Sequence, residues 1–362
     1  MRRRNRWLLA AAVLLGLAAF LMSRRQQAPD AAPRARVEFP RRLRAEEFHR
    51  MESRRTLPPP TAAEAAGPLR PANRDPLIAA LPSGKEKTVV VIEANAIRHS
   101  PIGELLLRCL AAEARGDPIA QFREQSGIDL LTDLDRIAMT ENGMVVSGHF
   151  QNARWDRSLD GMQSTAYGNQ STLYGTGPYP LPDGGQAAPA LGMWNNQLFI
   201  MGESADDVRG ALDRVEGRSP VGSPAIPEQS SYGEIYGVIS ADQVARLFLA
   251  QDPAMAERLR EVADRIEIHV DARKDVALVA EVSGPNAAAV NDLAKSLGAM
   301  LSLARVHAQM RRDENLAELL DLARIEPGQG RFNLELALPM EFLEKQFASC
   351  GSANRPRAES RP

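Results

Sequence analysis

The sequence predicts an α+β protein: two related strand-helix-helix-hairpin-helix-hairpin-helix units after a single N-terminal transmembrane helix. Three observations carry that expectation. An uncharged apolar run of sixteen residues, Trp7 to Met22, lies between arginines near the start. Ten prolines then fall within residues 24–87. Beyond them, the pattern of apolar periods and turn residues over 88–217 recurs in the same order over 233–350. The expected boundaries are an anchor at 1–23, a Pro/Arg-rich linker at 24–87, a first unit at 88–217, a connector at 218–232, a second unit at 233–350 and a disordered tail at 351–362.

The chain has 362 residues, 44% of them apolar and 25% charged. That is enough apolar material for a core and too much charge for a multi-spanning membrane protein. The formal net charge of -2 conceals a division at Lys87. Up to there the chain holds 18 basic and 8 acidic residues, or +10; after it stand 26 and 38, or -12. A folded region of that sign repels phosphate backbones, so no nucleic-acid partner is expected.

As a helix at ~1.5 Å per residue, the apolar run spans roughly 24 Å, close to the ~30 Å hydrocarbon core once flanking arginines snorkel. Phe20, Leu21 and Met22 stand where signal cleavage needs small residues, which favours an uncleaved signal anchor. Arg2, Arg3, Arg4 and Arg6 precede the run, and the positive-inside bias holds that tail in the cytoplasm. The expected location is therefore the inner membrane, single-pass, with the C-terminal bulk periplasmic. The linker contains one stretch free of Gly and Pro, Arg41 to Arg55, in which Leu43, Phe48 and Met51 share part of a helical face. It reads either as a basic helix on anionic headgroups or as a solvated nascent helix.

In the first unit, TVVVIEA (Thr88 to Ala94) is a buried strand by its β-branched run, and Ser100-Pro101 supplies a cap and first turn for the next helix. A second helix runs from Pro118 to Gly127. RIAMTE and MVVSGHF form a hairpin at Asn142-Gly143, and ALGMW and LFIMG form another across Asn195-Asn196. Ser204 caps a helix ending at Gly217. The second unit offers the strand YGEIYGVI, helices from Ser240 and Asp252, the hairpin RIEIHVDA with VALVAEV, and a long helix from Asn286 to Arg311. RIEP and RFNLELAL follow as a hairpin across Gly328-Gln329-Gly330, and PMEFLEKQFA closes as a helix. Asp135-Arg136-Ile137 reappears as Asp264-Arg265-Ile266.

Segments such as HSPIGELLL and DLDRIAM, set in this order behind one helix and a Pro-rich tether, resemble an uncharacterised bacterial family of membrane-anchored proteins. The resemblance covers most of the exported region. It implies the anchored α+β layout and brings no activity with it.

Chemistry-bearing patterns are sparse. Glu267, His269 and Asp271 alternate along one strand and so share a side, but neighbours at about 6.6 Å need help from other elements to hold an ion. No metal and no cofactor is expected. Gly202-Glu203-Ser204-Ala205-Asp206 departs from the nucleophile elbow at its last position, and Asp129, Asp133 and Asp135 read as turn residues. The stretch from Gly161 to Pro189 reads as a long loop that either presents a contact surface or folds as a small insert hairpin around Gly168-Asn169 with its tyrosines packed on the domain. Its Tyr167, Tyr174 and Tyr179, with Trp194 beyond, are the candidate binding residues, because tyrosine buries large area at small entropic cost. Cys109, on an apolar helix stripe, and Cys350 are a candidate disulfide in an oxidising compartment.

These features point away from an enzyme and towards a non-enzymatic, membrane-anchored extracytoplasmic interaction or assembly module of the bacterial envelope. Its expected partners are the membrane, through the N-terminal helix, and other envelope proteins. Two alternatives stand beside it: an extracytoplasmic hydrolase with a non-local site based on His149 or His269, and a lipid or apolar-ligand binding protein with a groove near the long helix.

Overall fold

The computed structural model describes residues 39–348 except 59–72, 85–86, 114–117, 156–158, 160, 176–178, 181–185, 188, 220–221 and 251. The expected anchor at 1–23, Cys350 and the tail lie outside the described residues. Among the described residues, no helix is long and apolar enough to cross a membrane.

Helix α1 (Ala45–Ser53) comes first, then the short α2 (Pro76–Ala80), whose cap Asp75 accepts from the Leu77 N–H at 2.9 Å, with Pro76 in the first turn. Strand β1 (Val89–Ile92) leads to α3 (Ala94–Arg98), α4 (Pro101–Glu113) and α5 (Pro118–Ser126). The hairpin β2 (Leu134–Thr140) and β3 (Gly143–Gly148) follows. Next come β4 (Gln163–Tyr167), β5 (Ser171–Gly175), β6 (Tyr179–Pro180), β7 (Gln186–Ala187), β8 (Ala190–Trp194), β9 (Leu198–Gly202) and α6 (Ala205–Val215). The remainder comprises β10 (Ile235–Ile239), α7 (Ala241–Phe248), α8 (Pro253–Val262), β11 (Arg265–Asp271), β12 (Val276–Ser283) and α9 (Ala287–Met310). It ends with α10 (Glu314–Asp321), β13 (Ala323–Pro327), β14 (Arg331–Leu338) and α11 (Met340–Phe347).

Twelve strands join in one antiparallel sheet of order β13-β14-β12-β11-β10-β1-β2-β3-β9-β8-β5-β4; β6 and β7 pair separately. This corrects the expected fold class of two related strand-helix-helix-hairpin-helix-hairpin-helix units: the described residues build one twelve-stranded antiparallel sheet with helices. Val89 to Ile92 of β1 lie opposite Val238 to Ile235 of β10, so the strands that would have opened two units form the middle of one sheet. The physical reason is the edge. Each is a short strand buried on both faces, and unpaired edge N–H and C=O groups there would have no water to bond. Counted outward from this seam, the order is β1-β2-β3-β9-β8 on one side and β10-β11-β12-β14-β13 on the other, with β5 and β4 extending the first side.

The cores cross the seam as well. On one face, Val90, Ile102 and Leu105 pack with Ile235, Val270, Leu338 and Phe342, under α4 and α11. Further out on that face, Ile266, Val282 and Phe332 meet Val290 and Leu293 of α9. On the opposite face, Val89, Val91, Tyr236 and Val238 pack with Leu77 of α2 and Leu212 of α6. That second face changes character across the sheet. Aliphatic on the β1–β9 side, it presents Glu267, His269, Asp271 and Glu335 on the β10–β14 side.

The described residues of 161–189 hold strands, the hairpin reading around Gly168-Asn169 among them, rather than an open loop. β4 and β5 form a hairpin turning at Gly168, whose φ is +66°. Serine, threonine and glutamine on the outward side hide the alternation that marks a strand. The Asn142-Gly143 and Asn195-Asn196 turns connect β2 to β3 and β8 to β9, with φ of 47° and 50° at the two asparagines of the second.

A candidate ligand cavity between the arm and the sheet

The arginine-rich stretch from Arg41 to Arg55, read from sequence as lying on lipid or free in solvent, instead lies on the acidic side of the sheet. It does so through arginine–carboxylate pairs. Arg41 Nη2 donates to Glu335 Oε1 at 2.9 Å and to Glu326 at 3.1 Å. Glu335 is 0% exposed and also receives Arg324 Nε at 2.5 Å, while the Arg324 guanidinium lies 4.9 Å from the ring centre of Phe39. Arg44 reaches Asp271 at 2.5 Å and Glu234 at 3.2 Å and also pairs with Glu47. Glu47 in turn accepts from the Gly233 N–H at 2.9 Å. Burial opposes the charge on Arg44, and its carboxylate partners more than offset that, raising its pKa.

One helix further, Arg54 donates to both oxygens of Glu93, at 3.1 and 3.0 Å, and to Asp135 at 2.9 Å. Glu93 also accepts from the Tyr236 hydroxyl at 3.1 Å. Beside it, Arg136 and Asp75 form a buried two-pronged pair at 2.7 and 2.8 Å, the geometry in which a guanidinium fork matches a carboxylate. Burial lifts the Tyr236 pKa well above its usual range, so the phenol stays protonated and donates.

Between this network, α1, α2 and the turn before β10 lies a cavity of about 390 Å3. That is near the lower end of the ~300–1,000 Å3 range of ligand pockets. Met51, Ile78, Ala79, Leu81, Pro224 and Ile226 give it an apolar wall. Six arginines (50, 54, 55, 74, 136 and 214) and four acids (Glu47, Asp75, Glu93 and Glu228) complete the polar side. All four acids are engaged by an arginine: Glu47 by Arg44, Asp75 by Arg136, Glu93 by Arg54, Glu228 by Arg55. Arg50, Arg74 and Arg214 have no ion-pair partner among the described residues. Arg214 sends Nε and Nη2 to the Ala80 carbonyl at 3.1 and 2.8 Å, and burial lowers its pKa from the usual value.

The residues singled out from sequence lie elsewhere and do not converge. Tyr167 and Trp194 share the face packed by α6, where the Tyr167 hydroxyl donates to Asp213 at 3.0 Å and Arg218 covers the ring. Tyr174 pairs with Leu191 on the opposite face. Tyr179 opens β6, and its side chain is outside the described residues. Cys109 is buried on α4 in disulfide linkage, and its expected partner Cys350 lies outside the described residues.

Glu267, His269 and Asp271 do share one face of β11, where each is engaged by protein groups. Glu267 receives Arg265 at 2.5 Å and faces His269, whose hydrogen bond, with those of Ser230 and Arg265, holds its carboxyl at about 2 against the opposing effect of burial. The His269 ring stacks on Tyr232 at 3.8 Å and 4°, with Nδ1 3.2 Å from the Tyr232 carbonyl oxygen. Asp271 is taken by Arg44 and Arg273. Among the described residues, no group of three metal-ligating side chains converges. Ser204 caps α6, and Asp129 and Asp133 bond backbone N–H groups of their own turn.

Sequence reasoning missed the cavity because its wall is drawn from the linker, the connector, the end of β1, the strands β2 and β10 and helix α6. One signal was present: Arg41 to Arg55 holds six arginines in a Gly- and Pro-free stretch, within a chain whose remainder beyond Lys87 carries -12. No family model, curated protein or solved structure matches this chain.

Proposed function

We propose that the chain is a non-enzymatic binding module of the cell envelope that receives a small, partly apolar ligand in the cavity beneath α1 and α2. The observation carrying this reading is the cavity itself: about 390 Å3 at the centre of the sheet, apolar on one side and arginine-rich on the other. It moves the apolar-ligand reading from the long helix to the middle of the molecule. The engagement of His269 and the exposure of His149 weigh against the hydrolase alternative. Delivery outside the cytoplasm rests on the apolar run Trp7 to Met22 and its flanking arginines.

Native mass spectrometry of the full chain, incubated with a total envelope lipid extract and re-isolated by gel filtration, tests the binding. The expected result is a non-covalent added mass that vanishes on denaturation and is lost in Ala79→Phe, which fills the cavity from α2. A bare polypeptide mass in the wild type refutes the reading. Alkaline phosphatase fused after residue 350 should be active in intact cells; silence there refutes the location.

A further inference from the structure

Resting on that reading, the charge ledger of the cavity wall names the ligand's chemistry. Four acids and six arginines line the space, and the acids are all answered. Arg54, Arg55 and Arg136 answer three of them, and Arg44, outside the wall, answers Glu47. Among the described residues, Arg50, Arg74 and Arg214 are left without an ion-pair partner. Arg74 donates to the Pro58 carbonyl at 3.3 Å, Arg214 to the Ala80 carbonyl, and the Arg50 guanidinium to no described residue.

Carbonyl oxygens answer the hydrogen-bonding needs of a guanidinium only in part; among the described residues Arg50 and Arg74 have no carboxylate partner, and Asp213 and Asp207 act on Arg214 without pairing with it. A half-buried cation without a counter-charge carries a desolvation cost that an arriving anion removes. The guanidinium fork also matches the oxygens of a carboxylate or phosphate in a way that neutral or cationic heads cannot reproduce. Four of the six arginines come from the basic segment before Lys87 and two from the part beyond it, whose net charge is -12, so the arm brings most of the positive charge on this wall. Met51, Ile78, Leu81 and Ile226 border the same space, and their aliphatic surface accepts a hydrocarbon chain.

We propose that the cavity binds a single-chain amphiphile with an anionic head, the head held by Arg50, Arg74 and Arg214 and the chain laid along the apolar wall.

Isothermal titration of the full chain in a mild non-ionic detergent, below its micelle concentration, separates the contributions. The probes are dodecyl phosphate, laurate, dodecanol and inorganic phosphate. Dodecyl phosphate or laurate should bind at least about tenfold more tightly than dodecanol, because charge-assisted hydrogen bonds replace an unanswered cation. Inorganic phosphate, lacking the chain, should bind at least about tenfold more weakly than dodecyl phosphate. The order of dodecyl phosphate and laurate decides between the two head types.

Arg50→Gln and Arg74→Gln, at half-exposed positions, should each weaken the preferred anionic probe about tenfold with an unchanged melting temperature, and leave dodecanol unaffected. Arg214→Gln should do the same, its melting temperature serving as the check on folding. Equal affinity for dodecanol and the anions, or unchanged anion affinity in all three variants, overturns the anionic head while the cavity reading stands. Absence of binding by every probe, together with a bare polypeptide mass after lipid incubation, overturns both.

Discussion

Replacing Gly237 with alanine should part the sheet at its middle. Gly237 lies in β10 opposite Val90 of β1, and an added Cβ there would stand 2.2 Å from the Val89 carbonyl oxygen and 2.7 Å from the Val90 Cα. Both neighbours are backbone, and β1 is held from behind by β2, so no side-chain rotation relieves the contact. The seam must open by roughly 1 Å, an overpacking cost of about 3 kcal/mol, at the upper end of the usual range because four register pairs feel it. For a body of this size each kcal/mol moves the melting temperature by about 2–4 °C, giving a fall of roughly 6–12 °C. Trp155 and Trp194 report the β1–β9 side by fluorescence, and hydrogen exchange of peptides covering 265–283 reports the other side. One sheet with cores shared across the seam requires both signals to weaken together. Gly298→Ala is the control of opposite sign: it lies in α9 with no atom within 4 Å of the new Cβ, and should add about 0.5–1 kcal/mol. A fall of less than about 2 °C in Gly237→Ala refutes the reasoning. So does loss of the tryptophan signal with undiminished protection across β11 and β12.

Asp75→Ala should cost about 3 kcal/mol in urea unfolding, since it removes the two-pronged partner of the buried Arg136 cation and leaves it only Asp135 at 3.5 Å, whereas Asp75→Leu with Arg136→Met should recover most of the loss. Equal costs for the single and double changes would count against a buried pair. Glu267 gives a pH dependence of known sign. Its carboxyl, held at about 2 chiefly by the His269 hydrogen bond, sits below the ordinary carboxylate value, so its stabilisation is full above that value and lost as pH falls towards 2. The stability gap between wild type and Glu267→Gln should therefore shrink between pH 5 and about 2.5; a gap that stays constant contradicts it. Arg44→Ala removes the partner of Glu47, Glu234 and Asp271, and hydrogen exchange across 41–56 should speed by at least about tenfold. Unchanged protection there would mean that the arm is held by something other than its arginines.

Much of the local structure was legible in the residues because the rules that set it act over three or four positions. Asn195 and Asn196 accept positive φ, so the β8–β9 turn falls where the dipeptide stands. Asn286 accepts from the N–H groups of Ala288 and Ala289 and starts a 24-residue helix where the pattern begins. The β4–β5 hairpin was legible from its Gly168-Asn169 turn alone, since small polar residues along β4 blur the period of two and give no sign that β5 joins the main sheet.

The amino-acid order by itself determined most strands, turns and helix starts, the apolar run near the N-terminus and the charge split at Lys87, but not α2, α3 or the extents of the strands of 163–187. It did not determine that β1 and β10 pair, because an apolar run buried on both faces specifies the need for two neighbours and not which two. Nor did it determine what the arm's arginines bind. Arg41 and Glu335 are 294 positions apart, and a guanidinium suits a lipid phosphate as well as a carboxylate. Only the tertiary structure, by gathering Glu335, Glu234 and Asp271 on one face of the sheet within reach of that arm, made the choice, and in making it left three arginines around a cavity with no ion-pair partner among the described residues.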